Sequence, residues 1–295
     1  LEIDSARRSE FVDKIKDYGG EYSPLEMKQI EEGQTWLEDF DKLPKIQKIS
    51  TTSTLVSSWI GRKPKEHKAW GKSEIEVRGS IEEVLAFLWL FDSRARMKPS
   101  DLEKVVIEDF NPHSLVACVC KEGTHKGFVH LLPREGVHSF VWKRLDRNTF
   151  VLVAKPTIHE KRPTTENRVR IEMPFIVSVT RISVGRCKLV YCQSLGMGDL
   201  VPTFILDHYI ARNLELTETV QQYFQKLRPL ELLDNLDGIA MAESFTLEYT
   251  KHEKREKKYT KHSLAHIRVQ SVISSHKALI QYGKEHPWFP DLMTG

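Results

Sequence analysis

Between residues 104 and 194 the chain runs through short segments rich in β-branched and aromatic residues, separated mostly by brief turns. The segments fall near 104–108, 115–120, 126–131, 138–145, 149–154, 169–181 and 187–194. Strands this close in sequence pair antiparallel, because a parallel crossover needs roughly a dozen connecting residues. Gly123, Gly136, Asp146-Arg147-Asn148 and Gly185 mark the tight turns. One interval is different: 155–168 carries Pro156 and Pro163, is too long for a hairpin turn, and reads as a surface loop of the compact Ω kind. After the last strand, Pro202 opens the longest helical pattern of the chain, 203–228, and Pro229 stops it. A strand meander closed by one long helix predicts an α+β fold, a curved antiparallel sheet wrapped around that helix.

The alternation says which side chains would meet across that interface. His138, Phe140, Trp142 and Arg144 share one strand face, and Cys187, Leu189, Tyr191 and Gln193 share another. Along 169–180 the set is Val169, Ile171, Met173, Phe175, Val177 and Val179. The helix answers with a stripe that includes Leu206, Tyr209, Ile210, Leu216, Val220 and Phe224. Such an interface packs solid or encloses an apolar cavity with a few polar groups. Arg144, on a Phe/Trp face, is placed either to meet a ligand or to pair with a carboxylate at the sheet edge.

The flanks read differently. Residues 4–17 and 24–43 are predicted helices, the second opened by Ser23-Pro24 with Glu26 completing a capping box. Residues 46–72 read as a polar linker anchored by Trp59, Ile60 and Trp70, with the solvated basic cluster Arg62-Lys63-Pro64-Lys65. Ile75 and Val77 alternate with charges as a strand, and Gly79-Ser80 caps an apolar helix over 81–91. Residues 230–250 are weakly helical or irregular, and 263–283 is a final helix. The longest unbroken apolar run, Val84 to Phe91, is eight residues, against about 20 for a membrane-spanning helix. A chain that opens at Leu1 and closes after Pro287-Trp-Phe-Pro290 reads as a piece of a longer polypeptide.

The net charge of +3 is unevenly distributed: −4 over 1–50, +7 over 51–228 and 0 over 229–295. The run 251–262 holds six Lys/Arg and two Glu, so Lys254, Arg255, Lys257 and Lys258 are candidates to meet an anionic membrane surface, the alternative being a solvated linker. Nucleic acid is not expected, since Tyr259 is the one aromatic residue interleaved there. Gly196-Met-Gly198 precedes Val201 rather than a third glycine, and Pro202 removes an amide, which argues against a dinucleotide site. His262 and His266 lack a third ligand, His252-Glu253 lacks the second histidine of a zinc peptidase, and no Gly-x-Ser-x-Gly elbow occurs. No catalytic constellation, metal site or cofactor is therefore expected. Cys118, Cys120, Cys187 and Cys192 contain no Cys-x-x-Cys and read as buried, reduced thiols of a cytoplasmic protein.

Three passages carry a resemblance. Val77-Arg-Gly-Ser-Ile-Glu-Glu-Val-Leu-Ala-Phe-Leu-Trp-Leu-Phe-Asp92 looks like a strand and its packed helix in the START (StAR-related lipid-transfer) domain. Phe140-Val-Trp-Lys-Arg144, Thr149 to Ala154 and the following proline-bearing loop resemble that family's strand, hairpin and Ω loop. Leu189-Val-Tyr-Cys-Gln-Ser-Leu-Gly-Met-Gly-Asp-Leu-Val-Pro202 is similar to its last strand, glycine corner and lid helix, except that Gly196 stands where an aspartate is usual. The resemblance spans 69–228 and implies a helix-grip fold, with 1–68 as an N-terminal helical extension and linker and 229–295 as a C-terminal helical extension. It further implies non-catalytic binding of a sterol, phospholipid or other lipid for transfer or sensing, by a module that associates with membranes. The candidate lipid contacts are Phe140, Trp142, Arg144, Ile171, Met173 and Phe175 on the sheet side, then Leu189 and Tyr191, and Leu206, Tyr209 and Ile210 on the helix. Pro156, Ile158 and Pro163 are the candidate gate. The alternative is the same fold packed solid as a regulatory or interaction scaffold, and an enzyme on this fold comes third.

Overall fold

The alternation along 104–194 is realised as most of a ten-stranded sheet. The computed structural model describes residues 2–16, 18–51, 53–63, 66–126, 129–197 and 201–225, all inside the first of the chain's two compact units, Leu1–Lys226. Helices α1 (Glu2–Lys16) and α2 (Pro24–Asp41) come first, then β1 (Ile46–Ile49), β2 (Ser57–Gly61), β3 (Ala69–Val77) and α3 (Ile81–Trp89). Next are β4 (Asp101–Asn111), β5 (Ser114–Lys121), β6 (Thr124–Lys126), β7 (Val129–Leu131), β8 (Arg134–Asp146) and β9 (Thr149–Pro156). β10 (Val169–Arg170), β11 (Phe175–Ser183), β12 (Arg186–Leu195) and α4 (Thr203–Leu214) complete the named elements, with a further helical stretch at 216–225. The strand order is β1-β2-β3-β12-β11-β9-β8-β5-β4, antiparallel throughout, with β10 lying parallel to β8. The β11–β12 turn uses Gly185 at φ 68°, a left-handed conformation that favours glycine.

Both helix starts expected from sequence are built as capping boxes. The Ser23 hydroxyl accepts from Glu26 N–H at 3.3 Å while Ser23 N–H donates to Glu26 Oε2 at 2.7 Å. Ser80 and Glu83 repeat this at 3.1 and 2.6 Å.

Five expectations are corrected. Residues 46–72 are no linker: they hold β1, β2 and the start of β3, so the sheet begins before residue 69. β1 is an edge strand exposed along most of its length, and polar residues on such an edge carry no inward alternation. Arg62 and Lys63 of the supposedly solvated cluster are tied down, Arg62 to Asp207 and Lys63 to Asp39, each at 2.7 Å. The segment 126–131 is not one strand; β6 and β7 pair with each other as a separate two-stranded sheet. The strand expected over 169–181 is two: β10 follows β8, while β11 runs between β9 and β12. Pro174, between them, has no N–H to donate, and its carbonyl accepts from Ser194 N–H at 3.0 Å. Finally, the helix expected over 203–228 is interrupted at Glu215. There Thr217 Oγ1 donates to the Leu214 carbonyl at 2.9 Å and Thr219 Oγ1 to the Glu215 carbonyl at 3.1 Å, so the hydroxyls compete for main-chain acceptors. The basic run 251–262 and the helices expected over 230–250 and 263–283 lie outside the described residues.

The sheet has two unlike faces. On the outer face α2 seats Ile30 and Phe40 against Val141, Val151, Val153, Ile176 and Cys192. Gly33 permits that contact, since a Cβ there would lie 2.6 Å from Val153. Residues that alternate with these along β3, β8, β9, β11 and β12 lie on the opposite, inner face, where α3 packs on β9 and β11 and α4 on β3 and β12. At Gly71 the approach of α4 is so close that a Cβ would lie 2.8 Å from Ile210, which fixes where the sheet grips the helix. The segments before α2 are pinned by Tyr18, whose hydroxyl bonds His113 Nδ1, and by Tyr22, which donates to the Trp142 carbonyl at 3.0 Å.

Candidate functional site

The inner face is floored by aromatic rings in sequence across the sheet. Phe91 lies 5.1 Å from Phe140, Phe140 lies 5.7 Å from Phe175, and Phe175 lies 5.5 Å from Tyr191, measured between ring centroids. Toward α4 the lining turns aliphatic: Ile171, Met173, Ala69 and Leu195 pack with Leu206 and Ile210, and half-buried Tyr209 borders them. Eight of the eleven expected contacts therefore fall in these two groups, Phe140, Phe175 and Tyr191 in the ring row and Ile171, Met173, Leu206, Tyr209 and Ile210 in the aliphatic cluster, with Leu189 fully buried in the same strand as Tyr191. Two do not. Trp142 belongs to the α1 side, packed against Phe11, Tyr18 and Phe150 with its Nε1 donating to the Pro112 carbonyl at 2.8 Å. Arg144 caps the end of α1, donating to the carbonyls of Ile15 and Lys16 at 3.2 and 3.1 Å, and pairs with Glu82 at 3.4 Å.

Polar groups interrupt this surface, and several have no partner. Ser73 Oγ, His138 Nε2, Gln193 Oε1 and Arg96 Nε are buried without a hydrogen bond. Burial pushes the His138 imidazole down to about 4, nearby Arg170 adding to the effect against a backbone contact with Gly136. The Arg96 guanidinium is lowered to about 10 by burial, and the Tyr191 phenol beside it is pushed far up by the same cause. The 0–8% exposure of these side chains leaves water no direct access, and an unsatisfied buried polar group costs roughly 1–3 kcal/mol. Native proteins tolerate few of them outside functional sites.

Sequence reasoning did not select these groups as site residues. Ser73 shares its strand parity with Ile75 and Val77, and His138 and Gln193 sit on the faces already identified, so alternation contained the signal. Arg96 stands in a short 3-10 turn (Arg94–Arg96), where no periodicity marks it.

The Ω loop between β9 and β10 lies against β4 and β8. Arg162 bonds Glu103; Arg168 reaches Glu103 at 3.3 Å and Glu135 at 3.0 Å; His159 meets Glu108 at 2.7 Å. The hydrogen bond from Arg162, against an opposing effect of burial, holds the Glu103 carboxyl below its usual range. Of the expected gate residues Ile158 is 94% exposed, Pro163 is exposed and Pro156 is half-buried. At the amino end of α4, Arg62 donates to the Thr203 carbonyl at 2.8 Å and His67 Nε2 lies 2.7 Å from the Val201 carbonyl. A cleft of about 930 Å³ opens there, lined by Ile46, Ile60, Arg62, Thr203 and Asp207 among others.

All four cysteines are free and buried. Among the described residues no group of His, Cys, Asp and Glu is arranged to hold a metal ion, and no helix is long and apolar enough to cross a membrane.

This architecture recurs in solved structures. Human StAR-related lipid transfer protein 5 superposes with a TM-score of 0.54 at 14% identity, covering 69% of this chain and 99% of its own. The lipid transfer and protein localization domain of human StarD13 gives 0.51 at 14% identity over 70% and 98% of the two chains. Human STARD10 gives 0.52 at 12% identity over 67% and 81%. No family model and no curated protein matches the sequence. The chain therefore has the helix-grip α+β fold of these structures, and at this level of identity the likeness is one of fold.

Proposed function

We propose that this chain binds a hydrophobic ligand, a sterol, phospholipid or other lipid, non-covalently between the inner sheet face and α4, for transfer or sensing. The observation that carries this reading is the inner face itself: an aromatic and aliphatic lining in which Ser73 Oγ, His138 Nε2 and Gln193 Oε1 stay buried without partners. A solid-packed scaffold has no use for such groups, which destabilise a finished core. Two of the structural neighbours, StAR-related lipid transfer protein 5 and the StarD13 lipid transfer domain, support the same reading. Burial supplies the affinity at roughly 25 cal/mol per Å² of apolar surface, without covalent chemistry.

On this reading the lipid-binding module includes β1 and β2, and the segments beyond 228 are attachments that bring it to a membrane. The free thiols fit a reducing compartment such as the cytoplasm. The amino end of α4, held by the polar contacts of Arg62 and His67, is the part that opens, while the Ω loop stays fastened to β4 and β8. Lipids extracted from the purified protein and identified by mass spectrometry test the proposal. One lipid in stoichiometric amount is expected; a lipid-free protein that takes up no lipid from vesicles overturns it in favour of the scaffold.

A further inference from the structure

The reading above leaves the polar end of the ligand unspecified, and the charges facing the inner side narrow it. Arg96, 8% exposed, uses Nη1 on the Leu88 carbonyl and leaves Nε without a partner. Lys104, on β4, donates to the Arg96 carbonyl at 2.8 Å with its Nζ 4.7 Å from the centre of the Phe91 ring. Lys121, on β5, reaches the Asn213 side-chain oxygen of α4 at 3.4 Å. Asn213 in turn faces Met173 at 3.9 Å, which joins this group to the apolar lining. Among the described residues no carboxylate forms an ion pair with Arg96, Lys104 or Lys121. The anions near them are Asp101 and, beside Lys121, Glu215; one oxygen of Asp101 takes the Lys98 N–H at 3.0 Å while the other is buried without a partner. Lys98 is held at 3.7 Å by Glu215.

With Lys98 and Arg212 also acting on the group, cations outnumber the carboxylates Asp101 and Glu215, so in this partly water-excluded site Arg96, Lys104 and Lys121 repel one another and pay desolvation without a compensating pair. The response of the groups agrees with that geometry. Burial, joined by Arg96, brings the Lys104 ammonium down to about 6, and burial also lowers Lys121 and Arg96. An oxyanion brought among them reverses the imbalance and gives the free Arg96 Nε an acceptor.

We propose that the ligand is an amphiphile with an anionic head, a carboxylate or phosphate, read by Arg96, Lys104 and Lys121, its hydrocarbon lying along Phe140, Phe175 and Met173. This rests on the lipid-binding reading and adds a charge requirement to it.

Calorimetric titration of the delipidated full chain with oleate, dioleoyl phosphatidic acid, cholesterol and inorganic phosphate separates the possibilities. At least one of the two anionic lipids is expected to bind about tenfold or more tightly than cholesterol. Arg96→Gln removes a group that also holds the Leu88 carbonyl, so Lys104→Met and Lys121→Gln are the decisive variants. Each is expected to lower anionic-lipid affinity about tenfold while cholesterol binding is unchanged. Cholesterol binding as tightly as both anionic lipids, or variants without effect on them, overturns the anionic head and leaves lipid binding standing. Inorganic phosphate binding as tightly as phosphatidic acid supports the oxyanion site and overturns its lipid nature. No binding of any probe overturns both.

Discussion

The two faces of one sheet follow opposite rules. On the outer face the polar group buried under α2 is Gln29, and every atom of its amide is used: Nε2 donates to the carbonyls of Ser139 and Val153 at 3.0 and 3.1 Å, and Oε1 accepts from Ser139 Oγ at 2.9 Å. On the inner face Ser73, His138 and Gln193 are as deeply buried and unsatisfied. The same strands supply both sets, so the contrast is not one of local composition. The outer face is built as a finished core, while the inner one keeps hydrogen-bonding capacity that packing alone would have removed.

The largest test of that contrast lies on the outer side. Phe40→Ala removes a side chain that is 1% exposed in the α2 seat, and should lower unfolding stability by about 3–5 kcal/mol in denaturant titration. The identity of any co-purified lipid should not change. An altered lipid profile in a folded Phe40→Ala protein would mean that the faces are not independent.

The second test acts on the inner side with the opposite sign. Ser73→Ala and Gln193→Leu each delete an unsatisfied buried atom, and each should raise the stability of the delipidated protein by about 1 kcal/mol while weakening lipid uptake. Loss of stability in both would show that these atoms are satisfied in the protein and that the inner face is ordinary core.

How much of this could be read in the sequence depended on whether a residue's job repeats along its element. Phe140, Phe175, Leu189 and Tyr191 were legible because a half-buried strand must alternate, and the Ser23 capping box and the Ser80 cap because a serine ahead of a helix satisfies amides within one turn. β1 was hidden because an exposed edge has no inward face, and β2 because a five-residue strand shows little alternation. Arg144 was ambiguous because strand parity gives a direction and no distance. Its guanidinium spends itself on the last carbonyls of α1, 128 residues earlier in the chain. The contacts of Tyr18 and Tyr22 with His113 and Trp142 were likewise out of reach, since they join positions that only the tertiary fold brings together. Arg96, in an irregular turn, had no pattern to betray it.

A smaller effect links charge to stability. Lys104 faces Arg96, Lys98, Lys121 and Asp101, and its ammonium is held near 6 by burial first and by Arg96 next. A base depressed on folding opposes the fold while it is protonated in the unfolded chain; its penalty is full below about 6 and fades as pH rises toward the ordinary lysine range near 10. Delipidated wild type should therefore gain stability between pH 6 and pH 9 relative to Lys104→Met, which lacks the penalty throughout. With partial exposure taken into account, the difference at pH 7 is on the order of 1 kcal/mol. Parallel pH profiles would mean that Lys104 is solvated and carries no charge cost.

The smallest stability effects decide which cover moves. Arg162 and its partner Glu103 are each about a quarter to a third exposed, and Arg168 still spans Glu103 and Glu135 when Arg162 is lost. Arg162→Gln should thus cost no more than about 1 kcal/mol, and Arg62→Gln, which releases Asp207 and the Thr203 carbonyl, about the same. Equal in stability, the two variants differ in what they free: one loosens the Ω loop, the other the first turn of α4. If α4 is the part that opens, Arg62→Gln accelerates lipid transfer between vesicles several-fold, and Arg162→Gln leaves the rate within about twofold of wild type. Acceleration by Arg162→Gln alone would move the gate to the loop that carries Pro156, Ile158 and Pro163. The ion pairs to Glu103 and Glu135 would then be a latch over the lipid rather than a brace for the sheet.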